Sequence, residues 1–195
     1  MPITLPDAQL LTKSGFLLWA PLGSSEPSLD STGVVGGIFT DAWPVAWVPL
    51  GRTTGGAKID DNATSASIES AEDYTPLLQL NTKREPAVSF ELMSFTATNL
   101  ARALNGAVTT VTGTTTTTAT KVSAPDPMSE VQCMLGWESD DSTVRWVGRQ
   151  CLNSGNLSVT LAKAPSTATI MWAALLSKPA GLPAYDWGFA GTDRA

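Results

Sequence analysis

The stretch VQCMLGWESDDSTVRWVGRQC, residues 131–151, decides how this chain reads. In its first part Val131, Cys133, Leu135 and Trp137 fall at every second position and share one face, the period of a half-buried strand. ESDDS (138–142) is polar and built from turn formers. Past it, Val144 and Trp146 oppose Arg145, Val147 and Arg149. Two alternating runs around a short polar turn predict an antiparallel pair. Downstream, NSGN (153–156) predicts another turn, LSVTLAK (157–163) alternates, and APS leads into TATIMWAALL (167–176). Together these segments predict a four-stranded antiparallel meander.

Upstream the same period recurs. VSFELMSF (88–95) sets Val88, Phe90 and Leu92 against Ser89, Glu91 and Met93. It runs into TATNLARALNG (96–106), where Thr96 or Thr98 caps a helix start and Leu100, Ala103 and Leu104 form an apolar stripe. Asn105-Gly106 supplies the stop. One short helix on an otherwise β chain predicts a mainly β fold, an antiparallel sandwich or barrel with a single flanking α-helix at about residues 96–105. The length of 195 residues suits one domain spanning 1–195.

Three stretches read as excursions from that domain. GRTTGGAKIDDNATSA (51–66) has only Ile59 as a large hydrophobe and predicts a long loop. Residues 107–121 carry threonine at most positions. Threonine is β-branched and favours extended backbone, so an arm or strand is expected there, and one too polar to bury itself within its own chain. The C-terminal KPAGLPAYDWGFAGTDRA (178–195) sets Tyr185, Trp187 and Phe189 among Pro and Gly. It predicts an arm that docks on its own core or on a neighbour.

Composition excludes several functions. Charged residues are only 15% of the chain, the net charge is −6, and no basic block occurs, which argues against tight nucleic-acid binding. A surface so weakly charged suits a protein that packs against copies of itself. GFLLWAPL (15–22) lacks a cleavage site, and no window is long and apolar enough for a membrane helix. The reading is of a protein made in the cytosol with no membrane partner. Cys133 and Cys151 form no CxxC pair and read as buried apolar thiols.

Catalytic chemistry is not visible. There is no histidine, and GVVGG (33–37) lacks the spacing of a phosphate loop. The acidic groups Asp60-Asp61, Glu69-Glu72-Asp73 and Asp140-Asp141 lack a diagnostic spacing for calcium or glycosidase chemistry. No enzyme, metal or cofactor is expected. Of seven tryptophans, Trp19, Trp137, Trp146 and Trp172 read as core, and Trp43, Trp47 and Trp187 as possible rings of a carbohydrate-binding sandwich.

The order of features also carries a resemblance. GFLLWAPLGSSEP (15–27) is followed by AWVPLGRTTGG (46–56) and then by ASIESAEDYTPLLQLNTKREPAVSFELMSFTATNLARALNG (66–106). This succession resembles the major tail tube proteins of long-tailed bacteriophages, especially those infecting actinobacteria. GRTTGG stands where an acidic turn is more usual in that family.

The resemblance implies a structural virion protein, made in the bacterial cytoplasm and residing in the tail. It would form hexameric rings stacked into a hollow tube through which DNA passes unbound. Partners would be other copies of itself, with tape-measure, terminator and distal tail proteins. The loop residues Gly51, Arg52, Thr53, Thr54, Gly55, Gly56, Lys58, Ile59, Asp60 and Asp61 would contact an adjacent ring. Thr114, Thr115, Thr116, Thr117 and Thr118 would form a strand completed by another subunit. Glu69, Glu72, Asp73 and Glu91 are the acidic residues expected on the lumen, where negative charge repels phosphates. Arg145 and Arg149 would meet acids across a subunit contact or sit in solvent. Alternatives are another ring-forming component, such as a tail terminator or secretion-tube protein, and the carbohydrate-binding sandwich.

Overall fold

The computed structural model describes residues 14–69, 76–93, 96–104, 107–112, 118–123, 131–160, 167–174 and 182–190. Glu72, Asp73, Thr114, Thr115, Thr116 and Thr117 lie outside them. In chain order the strands are β1 (Gly15–Pro21), β2 (Val34–Val35), β3 (Ile38–Phe39), β4 (Val48–Glu69) and β5 (Pro76–Leu92). Helix α1 (Ala97–Leu104) follows, then β6 (Ala107–Thr112), β7 (Thr118–Ser123), β8 (Gln132–Ser139), β9 (Val144–Thr160), β10 (Thr167–Ala174) and β11 (Tyr185–Phe189).

The protein is mainly β, a curled antiparallel sheet forming a half-barrel with one helix, as the alternation predicted. Strand order is β10-β5-β4-β1-β8-β9-β11. β9 pairs with β8 through residues 145–152 and with β10 through residues 151–160, and β10 also pairs with β5. The order therefore returns on itself, which leaves fewer edges open.

Alternation places Leu17, Val88, Phe90, Leu92, Cys133, Leu135, Trp137, Val144 and Trp146 in one buried cluster inside the curl. A second cluster lies on the opposite face, where Leu18, Ala20, Met134 and Val147 pack with Trp47, Trp43 and Leu29. The latter three come from the long connection between β1 and β4. The middle of the sheet is thus buried on both faces, and Gly136 leaves room for it: a Cβ there would meet the Trp43 ring at 2.5 Å. The β8–β9 turn falls at the ESDDS segment, with Ser142 at φ 53° and Ser139 Oγ accepting from the backbone N–H of Thr143 and Val144.

Three local expectations are corrected. Residues 51–66 are not a loop but the greater part of β4, which pairs with β5 from Thr53↔Leu92 to Glu69↔Pro76. The alternation signal is missing because this segment has only Ile59 as a large hydrophobe, and period two in the sequence needs an apolar face to show itself. NSGN (153–156) is not a turn but lies within β9, where the β10 register shifts between Ile170↔Leu157 and Trp172↔Asn153. Gly155 marks a bulge in a continuing strand. The threonine-rich segment does form strands, but β6 pairs with β7 of the same chain, Thr112↔Thr118 closing the ladder. For Thr118, a neighbour's strand is not its observed partner. The C-terminal stretch follows one of its two expected courses: residues 185–189 dock on the chain's own core as a strand on β9, with Trp187 opposite Trp146.

Candidate functional site

Among the described residues, the feature that the core does not explain is the β4–β5 ribbon. β1 pairs with β4 only as far as Thr53, and β10 pairs with β5 only as far as Ala87. The two strands leave the barrel where their residues favour it. On β4 the register shifts between Thr53 and Ala57, across Gly55-Gly56, and glycine tolerates such irregularity. On β5, Pro86 offers no N–H to a further strand. Beyond these points, among the described residues, the strand pairing of 61–69 is with 76–86. At about 3.3 Å per residue the free ribbon is on the order of 30 Å long. No third strand joins it among the described residues.

Its root is rigid. Thr53 is 0% exposed. Its hydroxyl donates to the Gly15 carbonyl at 3.1 Å and accepts from the Gly15 N–H and Trp137 Nε1, both at 3.2 Å. Thr53 is therefore a buried core residue of this chain, unlike the exposed Arg52 beside it. Arg52 beside it is exposed, donates to Asp140 at 2.6 Å and lies 5.9 Å over the Phe16 ring. The Asp140 carboxyl is held below its usual range, first by the Ser14 hydroxyl and then by Arg52. Thr54 donates to Glu91 at 3.0 Å. Glu91 is exposed, on the face of β5 opposite Phe90. Gly55 and Lys58 are exposed on the ribbon. Gly51 is half-buried at the root, and Gly56, Ile59, Asp60 and Asp61 are placed by their backbone in β4, which Glu69 ends.

Arg145 and Arg149 neither face solvent nor wait for another subunit. Arg145 is 2% exposed and donates to Asp41 at 2.6 Å and to Glu138 at 2.9 Å. Arg149 donates to Glu26 at 2.6 Å and to Asp186 at 2.6 Å. Asp41 and Glu26 belong to the β1–β4 connection, which the two guanidiniums fasten across the outer face. Sequence reading missed these acids, since each partner is remote in the chain. A usable signal existed: Val147 lies on the same face between the two arginines, so that face was never purely solvent.

The tryptophan pair is occupied by packing. Trp43 and Trp47 meet edge-to-face at 4.9 Å between centroids. Trp47 Nε1 donates to the Ser25 carbonyl at 2.8 Å, and Trp43 Nε1 donates to Glu138. Trp187 packs on Trp146 and stacks on Phe189. A flat, open sugar platform is not formed by the pair.

Among the described residues no group of His, Cys, Asp or Glu is placed to hold a metal ion, and no helix is long and apolar enough to cross a membrane. No protein-family model matches the chain, and no curated protein matches it. The arrangement offers main-chain pairing groups along two strand edges, on a base fastened in the core.

Proposed function

We propose that this chain is a structural virion protein that self-assembles into stacked hexameric rings, forming the hollow tail tube of a long-tailed bacteriophage. The observation that carries the reading is the β4–β5 ribbon, extended beyond the barrel with no third strand beside it among the described residues. Isolated two-stranded ribbons are marginal in water, and a strand edge is a template for another chain. A head-to-tail contact between copies closes into a ring when its rotation allows. The ordered resemblance of residues 15–106 to tail tube proteins supplies the identity of that ring.

In this reading residues at the ribbon's base, among them the exposed Arg52, Gly55 and Lys58 and the half-buried Thr54, meet an adjacent ring. Glu69, Glu72, Asp73 and Glu91 bias the channel negative, so that DNA slides without binding. Tape-measure, terminator and distal tail proteins are its expected partners.

Electron microscopy of the purified protein across a concentration series, with light scattering for mass, tests this. Uniform hollow tubes are the expected result. Rings that never elongate would favour a terminator or secretion-type component, and a monomer at every concentration would count against assembly.

A further inference from the structure

Cys133 on β8 and Cys151 on β9 stand directly opposite one another in the antiparallel register. Both thiols are free, both are 0% exposed, and both belong to the cluster that holds Leu135 and Trp146. Their side chains therefore leave the same face of the sheet. The Cys133 thiol donates to the Cys151 carbonyl at 3.7 Å, so its sulfur already lies over the partner residue. Directly opposed residues of an antiparallel pair have Cα atoms ~4.5–5.5 Å apart, inside the ~4.4–6.8 Å range that a disulfide accepts. Just past the pair the register shifts between Cys133↔Cys151 and Leu135↔Gly148, a bulge that gives the backbone local latitude.

We propose that Cys133 and Cys151 are a latent cross-strand disulfide, an oxidation site for a small disulfide-bearing oxidant such as oxidised glutathione. One cysteine thiolate attacks a sulfur of the oxidant, forming a mixed disulfide and expelling one glutathione thiolate. The second cysteine thiolate attacks the protein sulfur of that mixed disulfide, forming the Cys133–Cys151 bond and expelling the second glutathione. Two cysteines are oxidised, one oxidant is reduced to two thiols, and those thiols carry away the two protons. Burial pushes the Cys133 thiol up to about 12 and raises Cys151 as well. The closed sheet is therefore slow to react, and the bond forms when β8 and β9 part locally. In a reducing cytoplasm the pair stays a dithiol. In an oxidising medium it ties β9 to β8 beside the residues where β9 takes up β10.

The test is a redox titration of the whole chain in glutathione buffers, once in native buffer and once in concentrated urea, with alkylation quench and peptide mapping. A bond that fits the fold is favoured by folding. The effective concentration of one thiol for the other should therefore be about a hundredfold higher in native buffer than in urea. The oxidised chain should unfold at a midpoint higher by roughly 5–10 °C, a gain that dithiothreitol abolishes. Equal or lower effective concentration in native buffer, persistent glutathione adducts on either cysteine, or disulfide-linked dimers would each overturn the proposal. Cys133→Ala and Cys151→Ala serve as single-thiol controls, and the titration itself needs no variant.

Discussion

At the residue scale, Arg145 is held by carboxylates from two directions, Asp41 across the sheet face and Glu138 on the neighbouring strand. Removing one partner of a buried ion pair leaves charge without compensation. Arg145→Met is expected to lose about 3 kcal/mol in a urea unfolding series, with Arg145→Lys losing less, since it keeps the charge but not the fork. Thr53 makes a different kind of demand. Its hydroxyl accepts from Trp137 Nε1 and the Gly15 N–H inside the core. Thr53→Val keeps the shape and strands both donors, at an expected cost of about 2 kcal/mol, whereas Thr53→Ser stays near the parent. Equal stability of the valine and serine variants would show that the hydroxyl is not the element holding β4 to β1.

At the element scale, the ribbon and the barrel are separable. Among the described residues, the strand pairing of 61–69 is with 76–86, while β4 up to Thr53 and β5 from Ala87 onward pair with the other barrel strands. Replacing residues 61–86 with a short Gly-Ser turn is expected to leave a cooperatively unfolding barrel with unchanged tryptophan fluorescence. If the ribbon is the assembly element, that variant forms no tubes under the microscope at any concentration. Tubes of normal width from it would remove the ribbon from the interface. Loss of cooperative unfolding would instead mean that the hairpin supports the barrel it leaves.

At the scale of the whole molecule, stability should fall away at both ends of the pH range. The Asp140 carboxyl is depressed, chiefly by the Ser14 hydroxyl and then by Arg52. Its contribution is present above the unfolded value of about 3.9 and is lost as pH drops through the lower folded value. Asp140→Asn should flatten that acid limb. Cys133 is raised to about 12 by burial, and Cys151 is raised as well. Their contribution is full below the unfolded thiol value of about 8.5 and declines as pH climbs toward the folded one. Between pH 8.5 and 10, unfolding midpoints of a Cys133→Ala/Cys151→Ala variant should fall less steeply than those of the parent. Where burial is one-sided the chain announces its structure locally. The alternation of residues 133–137, 144–149 and 88–92 and the capped stripe of 97–104 were enough for strands, a helix and a mainly β fold. Where a strand has few large hydrophobes, or both of its faces are buried, no such period exists. The polar 51–66 segment therefore read as a loop, and the outer faces of Arg145 and Arg149 read as solvent or as a contact between subunits. Only tertiary structure could bring Glu26 and Asp41 onto those arginines, set Thr53 under Trp137, and close Thr112 on Thr118. Each of these pairings depends on which distant segment fills a given space, and a local pattern of side chains holds no record of that.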